Sequence, residues 1–172
     1  MTAHLRTRLA EAKDAENVKT IELLIKSRAE PDFVQRLFDE VEKGERSVII
    51  GLVDDVAAGY AVINWRPVYP LFARLGIPEL QDLNVLPEHR RIGLGREIIS
   101  TCEDLARQRD CQQMGLAVGL DKSYGAAQRL YTRLGYVPDG FGVTYDREPV
   151  APGQVVRIDD DLCLMMVKEL LS

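Results

Sequence analysis

The chain has 172 residues, of which 46% are hydrophobic and 28% charged, the make-up of a single globular domain expected to span residues 1–172. At this length roughly 70% of the unfolded surface can be buried, so a real core is possible. The net charge of −5 disfavours a general nucleic-acid coat, which needs a surplus of lysine and arginine, and no apolar run approaches the roughly 20 residues of a membrane span.

Cys102, Cys111 and Cys163 are odd in number and lack metal-ligand spacing. They read as buried thiols of a reducing compartment. His4 and His89 offer no metal cluster, so no metal is expected. The opening MTAHLRTRLAEA lacks the apolar centre of a signal peptide, and a soluble cytoplasmic protein is expected.

In chain order, Leu5 to Ala10 reads as a first strand. Asp14 is placed to cap a helix that buries Val18, Ile21, Leu24 and Ile25. A second helix is expected to start near Pro31, to turn Phe33, Val34, Leu37, Phe38 and Val41 inward, and to end at Gly44. Ser47–Val53 and Ala57–Trp65 form a hairpin around Asp54-Asp55. Pro67, Pro70 and Pro78 then bound an irregular, rather apolar stretch. It would cover an acceptor pocket, meet a second subunit in a homodimer, or pack onto its own core. Glu79–Val85 is the central strand and Gly95 to about Arg109 a helix. Met114–Val118 follows as a strand, and Ser123 caps a further helix carrying Tyr131. Phe141–Tyr145 and Leu162–Val167 are the last strands. The fold class is α/β in the broad α+β sense. It is a mixed sheet with helices on both faces, in the order β-α-α-β-β-β-α-β-α-β-β.

One stretch organises the rest: Asp82–Gly95, DLNVLPEHRRIGLG. Pro87 ends the strand because it has no N–H for the ladder. Apolar positions 94, 98, 99, 102, 105 and 106 then share one helix face. Gly93 and Gly95 therefore sit at a helix start, where backbone N–H groups and the positive dipole end coincide. Arg90 and Arg91 stand just ahead. This chemistry suits a pyrophosphate. It is neither the dinucleotide fingerprint nor a Walker loop.

The pattern V-x-P-x-x-R-x-x-G-x-G on a strand–loop–helix resembles the acetyl-CoA loop of the GNAT acyltransferases. A second element, Tyr124 to Tyr136, resembles that family's later motif N-x-x-A-x-x-L-Y-x-x-x-G-F, with Ala127, Leu130, Tyr131 and Gly135 in place. Together they cover about a third of the chain. The resemblance implies a GNAT-type fold with a mixed, mostly antiparallel sheet. It implies a single N-acetyltransferase domain using acetyl-CoA as co-substrate and an amine as acceptor. It implies that Leu83 and Val85 meet the pantetheine, that Arg90, Arg91, Ile92, Gly93, Leu94, Gly95 and Arg96 meet the pyrophosphate, and that Tyr131 protonates the departing thiolate. Tyr124 falls on a cofactor-binding position where the family has asparagine. For the base, the resemblance points to Glu79 or Asp82, while Gln81 replaces a family glutamate. Without the resemblance, Tyr131 reads as a core residue of the face formed by Ala127, Leu130 and Leu134.

The chemistry itself asks for little. Transfer from a thioester to an amine needs positioning, loss of an ammonium proton from a group of pKa about 10, and donors for the oxyanion. Direct transfer in a ternary complex is expected, since no cysteine lies near a histidine motif. The departures at Gln81 and Tyr124 keep a second reading open, that of a silent acyl-CoA-binding module on the same fold. A protein-interaction domain without CoA is the third.

Overall fold

A computed structural model of the protein describes residues 3–26, 30 and 32–171. They form two compact units: Met1–Trp65 with Leu80–Leu105, and Arg66–Glu79 with Ala106–Ser172.

The first unit holds β1 (Leu5–Leu9), α1 (Ala15–Ile25), α2 (Phe33–Glu42), β2 (Arg46–Val53) and β3 (Val56–Asn64). The strand β4 (Glu79–Val85) and the first turns of α4 (Leu94–Gln108) belong to it too, β4 from Leu80 onward. The strand order is β1-β2-β3-β4, with β1–β2 and β2–β3 antiparallel. Asp54 and Asp55, at φ 49° and 65°, make the hairpin turn with both central residues left-handed, which matches the twist of the flanking strands.

Alternation along β2 and β3 assigns the two faces. Val48, Ile50, Leu52, Tyr60 and Val62 pack with Val18, Ile21 and Leu37 of α1 and α2, with Phe33, Val34, Phe38 and Val41 partly buried around them. Gly51 and Gly59 lie between those residues in sequence and face α4. A Cβ on Gly51 would stand 2.6 Å from Ile98 Cδ1, and one on Gly59 2.7 Å from the Asn84 carbonyl oxygen. The helix therefore lies closer to the sheet than any side chain at these positions would allow.

Leu24 departs from expectation, being 62% exposed. At 3.6 residues per turn, Glu22 and Ile25 lie within about 40° of the Val18 direction and Leu24 about 120° away. The buried place expected of Leu24 belongs to Glu22. Asp14 precedes α1, but its side chain does not cap it. Its carboxylate accepts from the Glu11 N–H and from Arg8 and Asn17 instead. Gly44, at φ 72°, follows α2 as expected. The expected helix start at Pro31 lies outside the described residues.

The second unit holds α3 (Pro70–Leu75), β5 (Gln113–Gly119), α5 (Gly125–Arg133), β6 (Val137–Tyr145), the short β7 (Glu148–Pro149) and β8 (Leu162–Glu169). Its strand order is β5-β8-β6-β7, and these pairings are antiparallel. The last strand in the chain thus sits inside the order rather than at its margin. Two additions extend the expected element order, α3 and β7. The stretch expected to be irregular forms α3, because Pro70 occupies the first helical turn and Gly76, at φ 67°, ends it. Tyr69 and Phe72 meet edge to face at 4.9 Å and pack with Ile77 and Met165, so the stretch packs onto its own core.

Candidate functional site

The strand β4 runs into a 3-10 turn, Pro87–His89, and then into α4. Arg91 and Gly93 take left-handed backbone, φ 63° and 98°. Left-handed residues in a short loop build the backbone concavities that receive anions. Gly93 owes its place to that φ, since a Cβ there would meet only Leu5 Cδ1, at 3.8 Å. Arg90, Arg91, Ile92, Gly93 and Arg96 are exposed, Gly95 is half-buried and Leu94 is buried. Arg90 is steadied by its Nε, which donates to the Val85 carbonyl at 3.0 Å. Leu94, Ile98, Ile99, Cys102 and Ala106 are all buried, so the helix face read from the sequence anchors this loop. The structure thus places Arg90, Arg91, Ile92, Gly93 and Arg96 on one exposed rim at the start of a helix, while Leu94 turns into the core and Gly95 is half-buried.

Within β4, Asp82 sits at φ 49°. A left-handed residue inside a strand breaks the alternation of faces, as a bulge does. Leu83, Asn84 and Val85 follow, all half-buried.

Asn84 leads to a cluster that sequence reasoning missed. Its Nδ2 donates to Glu22 Oε1 at 3.1 Å and stands 3.2 Å from the Tyr60 hydroxyl. Tyr60 is fully buried and its hydroxyl donates to the same Glu22 oxygen. Burial above all, then the bond to Glu22 and the charges of Asp82 and Glu22, push the Tyr60 phenol far above its ordinary pKa, so it stays a donor. A signal for Glu22 was present in the sequence. It is a carboxylate set inside the apolar stripe of Val18, Ile21 and Ile25, where a solvated residue has no place.

In the second unit, Glu79 is fully buried and gripped by Arg147. The guanidinium approaches Oε1 through Nη2 at 2.8 Å and Nε at 3.3 Å. The arginine comes from the β6–β7 turn, where Asp146 and Arg147 have φ 48° and 63°. Both Glu79 oxygens are taken up by this fork, the second at 3.5 Å.

Tyr131, on α5, is 8% exposed and meets the Tyr136 ring edge to face at 6.0 Å. Tyr124 lies against β5. A Cβ on Gly119 would come within 2.4 Å of its ring, and its hydroxyl donates to Asp160 at 2.7 Å. Burial, followed by that bond, raises its pKa. The Asp159–Asp161 run holds tyrosines, with Tyr145 donating to Asp159 at 2.8 Å and Tyr124 to Asp160. The thiols are free, and burial pushes Cys163 up to about 11 and the fully buried Cys102 higher still. Among the described residues no group of histidine, cysteine, aspartate and glutamate could hold a metal ion, and no helix is long and apolar enough to cross a membrane.

A strand, an exposed loop with left-handed residues and a helix start follow one another on a mixed, mostly antiparallel α/β fold. The acetyltransferase (GNAT) family model matches residues 12–136, well over half of the chain, and the chain belongs to that family. No curated protein matches it in sequence. Among solved structures it is similar to a GNAT-family protein from Desulfovibrio desulfuricans, at 19% identity and a TM-score of 0.74 over 98% of this chain and 100% of that one. It is also similar to YncA of Salmonella typhimurium, solved with acetyl-CoA, at 20% identity and a TM-score of 0.69 over 96% and 94% of the two chains. PaiA N-acetyltransferase of Thermoplasma acidophilum, solved with coenzyme A, is 10% identical with a TM-score of 0.65 over 96% and 99%.

Proposed function

We propose that residues 1–172 act as one acetyl-CoA-dependent N-acetyltransferase that passes the acetyl group directly to a primary amine of a small molecule or peptide. The observation that carries this reading is the exposed rim of Arg90, Arg91 and Gly93 at the start of α4, joined without a break to β4. Its backbone suits the coenzyme's paired phosphates, with Arg90, Arg91 and Arg96 adding charge. Leu83 and Val85 offer backbone to the pantetheine arm. The amine nitrogen attacks the thioester carbonyl, the carbon–sulfur bond breaks, and the thiolate takes a proton from Tyr131. Of the two expected carboxylates, Asp82 is the better proton acceptor, since Glu79 is closed off by Arg147. The raised thiols support direct transfer over an acyl-cysteine, because the thiolate is the nucleophilic form. Tyr124 serves the cofactor through its ring, because its hydroxyl is held by Asp160.

Solved relatives named for acting on aminoglycosides, on spermidine and on a ribosomal-protein alanine share this fold at 14–17% identity. The fold alone therefore does not choose an acceptor.

The test follows free thiol released from acetyl-CoA across an amine panel. Tyr131→Phe should lower turnover at least about tenfold, within the range of acid catalysis, while CoA affinity stays within about twofold. CoA-dependent thermal stabilisation without turnover on any amine would establish the silent binding module instead.

A further inference from the structure

Asp82 interrupts β4 with a left-handed backbone, φ 49°. A non-glycine residue in that form persists inside a strand only where its surroundings hold it. One holder is the side-chain amide of Asn84. Its Nδ2 lies among three oxygens: the Asp82 carbonyl at 3.3 Å, Glu22 Oε1 at 3.1 Å and the Tyr60 hydroxyl at 3.2 Å. The amide has a nitrogen end with two hydrogens and an oxygen end with none, and only the nitrogen end suits this setting beside a carboxylate. One hydrogen serves the Asp82 carbonyl and the other the Glu22–Tyr60 pair.

That pair is a fixed anchor. Tyr60 is fully buried, Glu22 is 2% exposed, and the hydroxyl donates to the carboxylate. The other Glu22 oxygen meets Lys26 Nζ at 3.0 Å, so the buried charge keeps its partner. Past the turn the backbone is pinned again. The Asn84 carbonyl lies 2.7 Å from the place a Gly59 Cβ would take, and the Leu86 N–H donates to the Ala58 carbonyl at 2.8 Å. Arg90 Nε then ties the Val85 carbonyl to the arginine rim at 3.0 Å. Asn84 thus joins a buried anchor to the turn that precedes Leu83 and Val85.

We propose that Asn84 is a positioning residue for the coenzyme: its amide, fixed by Glu22 and Tyr60, clamps the Asp82 carbonyl and so sets the direction in which the Leu83 and Val85 backbone meets the acyl-pantetheine arm. The inference rests on the acetyl-transfer reading for the identity of that arm.

Isothermal titration of the full chain tests it with two ligands. Acetyl-CoA carries the arm, whereas adenosine 3′-phosphate 5′-diphosphate keeps the paired phosphates and lacks it. Asn84→Ala should weaken acetyl-CoA binding about fivefold or more, the fold-change that corresponds to one hydrogen bond, and leave the nucleotide within about twofold. Adding Asp82→Gly should restore most of the acetyl-CoA affinity, because glycine takes a left-handed backbone without a clamp. An Asn84 that merely satisfies the buried Glu22 predicts lower stability with both ligands weakened alike, or neither. Either result overturns the inference, as does a double variant that recovers nothing. If Asn84→Ala fails to fold, Tyr60→Phe decides, with a loss of about threefold on acetyl-CoA alone. Amide hydrogen exchange of the free chain separates this inference from the reading it rests on. In Asn84→Ala the Leu86 N–H should exchange at least about tenfold faster while the β2 amides change little, and uniform acceleration overturns the clamp. Selective acceleration in a chain whose wild type binds neither ligand upholds the clamp and defeats the coenzyme reading.

Discussion

Replacing Asp14 tests whether the entrance to α1 is fixed by a buried carboxylate. Its side chain is almost wholly buried and accepts four hydrogen bonds, from Arg8 Nη1 at 2.6 Å, Arg8 Nη2 at 2.9 Å, the Glu11 N–H at 2.8 Å and Asn17 Nδ2 at 3.0 Å. Arg8 is 35% exposed, so its share is discounted for solvent screening. The backbone and amide donors remain, and leaving them unpaired carries its own penalty. Asp14→Ala should cost about 3 kcal/mol, or roughly 6–12 °C in Tm for a chain of this size. The pH dependence has a definite sign. The Arg8 hydrogen bond first, then the Glu11 N–H and Asn17, hold the carboxyl well below its ordinary range against the opposing effect of burial. A carboxyl depressed in the folded state stabilises fully above its unfolded pKa of about 4, and that stability is lost as pH falls below it. Urea unfolding of wild type and the neutral isostere Asp14→Asn, followed by circular dichroism from pH 7 to pH 3, reads this directly. The gap should be largest at pH 7 and should narrow below about pH 4. A gap that stays constant down to pH 3, or one under about 1 kcal/mol at pH 7, would refute the reasoning.

Three further outcomes follow from the geometry. Gly59→Ala places a methyl 2.7 Å from the Asn84 carbonyl and 3.2 Å from Ile98 Cδ1, so it should lower stability by about 1–3 kcal/mol in urea unfolding; a wild-type midpoint would show that β3 and β4 yield freely. Glu79→Gln leaves Arg147, 32% exposed, without its charge partner and should cost about 2–3 kcal/mol. Adding Arg147→Met should restore most of that stability with turnover retained, whereas stability restored without turnover would make Glu79 the base. Iodoacetamide should leave acetyl transfer intact, because Cys102 is fully buried and Cys163 is pushed up to about 11; loss of more than about half the activity would implicate a thiol.

The elements legible in the sequence were those whose local chemistry agreed with their packing. The Asp82–Gly95 stretch carried its own punctuation, with Pro87 stopping the strand and Gly93 supplying a backbone form that other residues resist. The stripe from Leu94 to Ala106 matched its buried face except at Leu105, which is half-buried while the neighbouring Glu103 is buried. What escaped had competing signals. Three prolines argued for irregular chain, although Pro70 and Gly76 mark the ends of a short helix. Glu22 takes the buried place expected of Leu24 because the helical angle, not hydrophobicity, decides which position faces the core. The partners of Glu22 and Glu79 come from 38 and 68 positions along the chain, Tyr60 and Arg147. No local pattern encodes such pairings, and they decide which carboxylate is open to chemistry. Asp82 carries the subtlest point. Period-two alternation would put residues 79 and 82 on opposite faces, and the left-handed backbone at Asp82 breaks that alternation.

The Glu79–Arg147 contact has a practical consequence for redesign. Arg147 occupies a two-residue hairpin corner, a position that protein engineers treat as freely exchangeable. Swapping in a generic Asn-Gly corner would preserve the hairpin and yet strand an anion at the root of the central strand. Loop grafts at this hairpin must therefore carry an arginine at that corner, or convert Glu79 to a neutral residue in the same step.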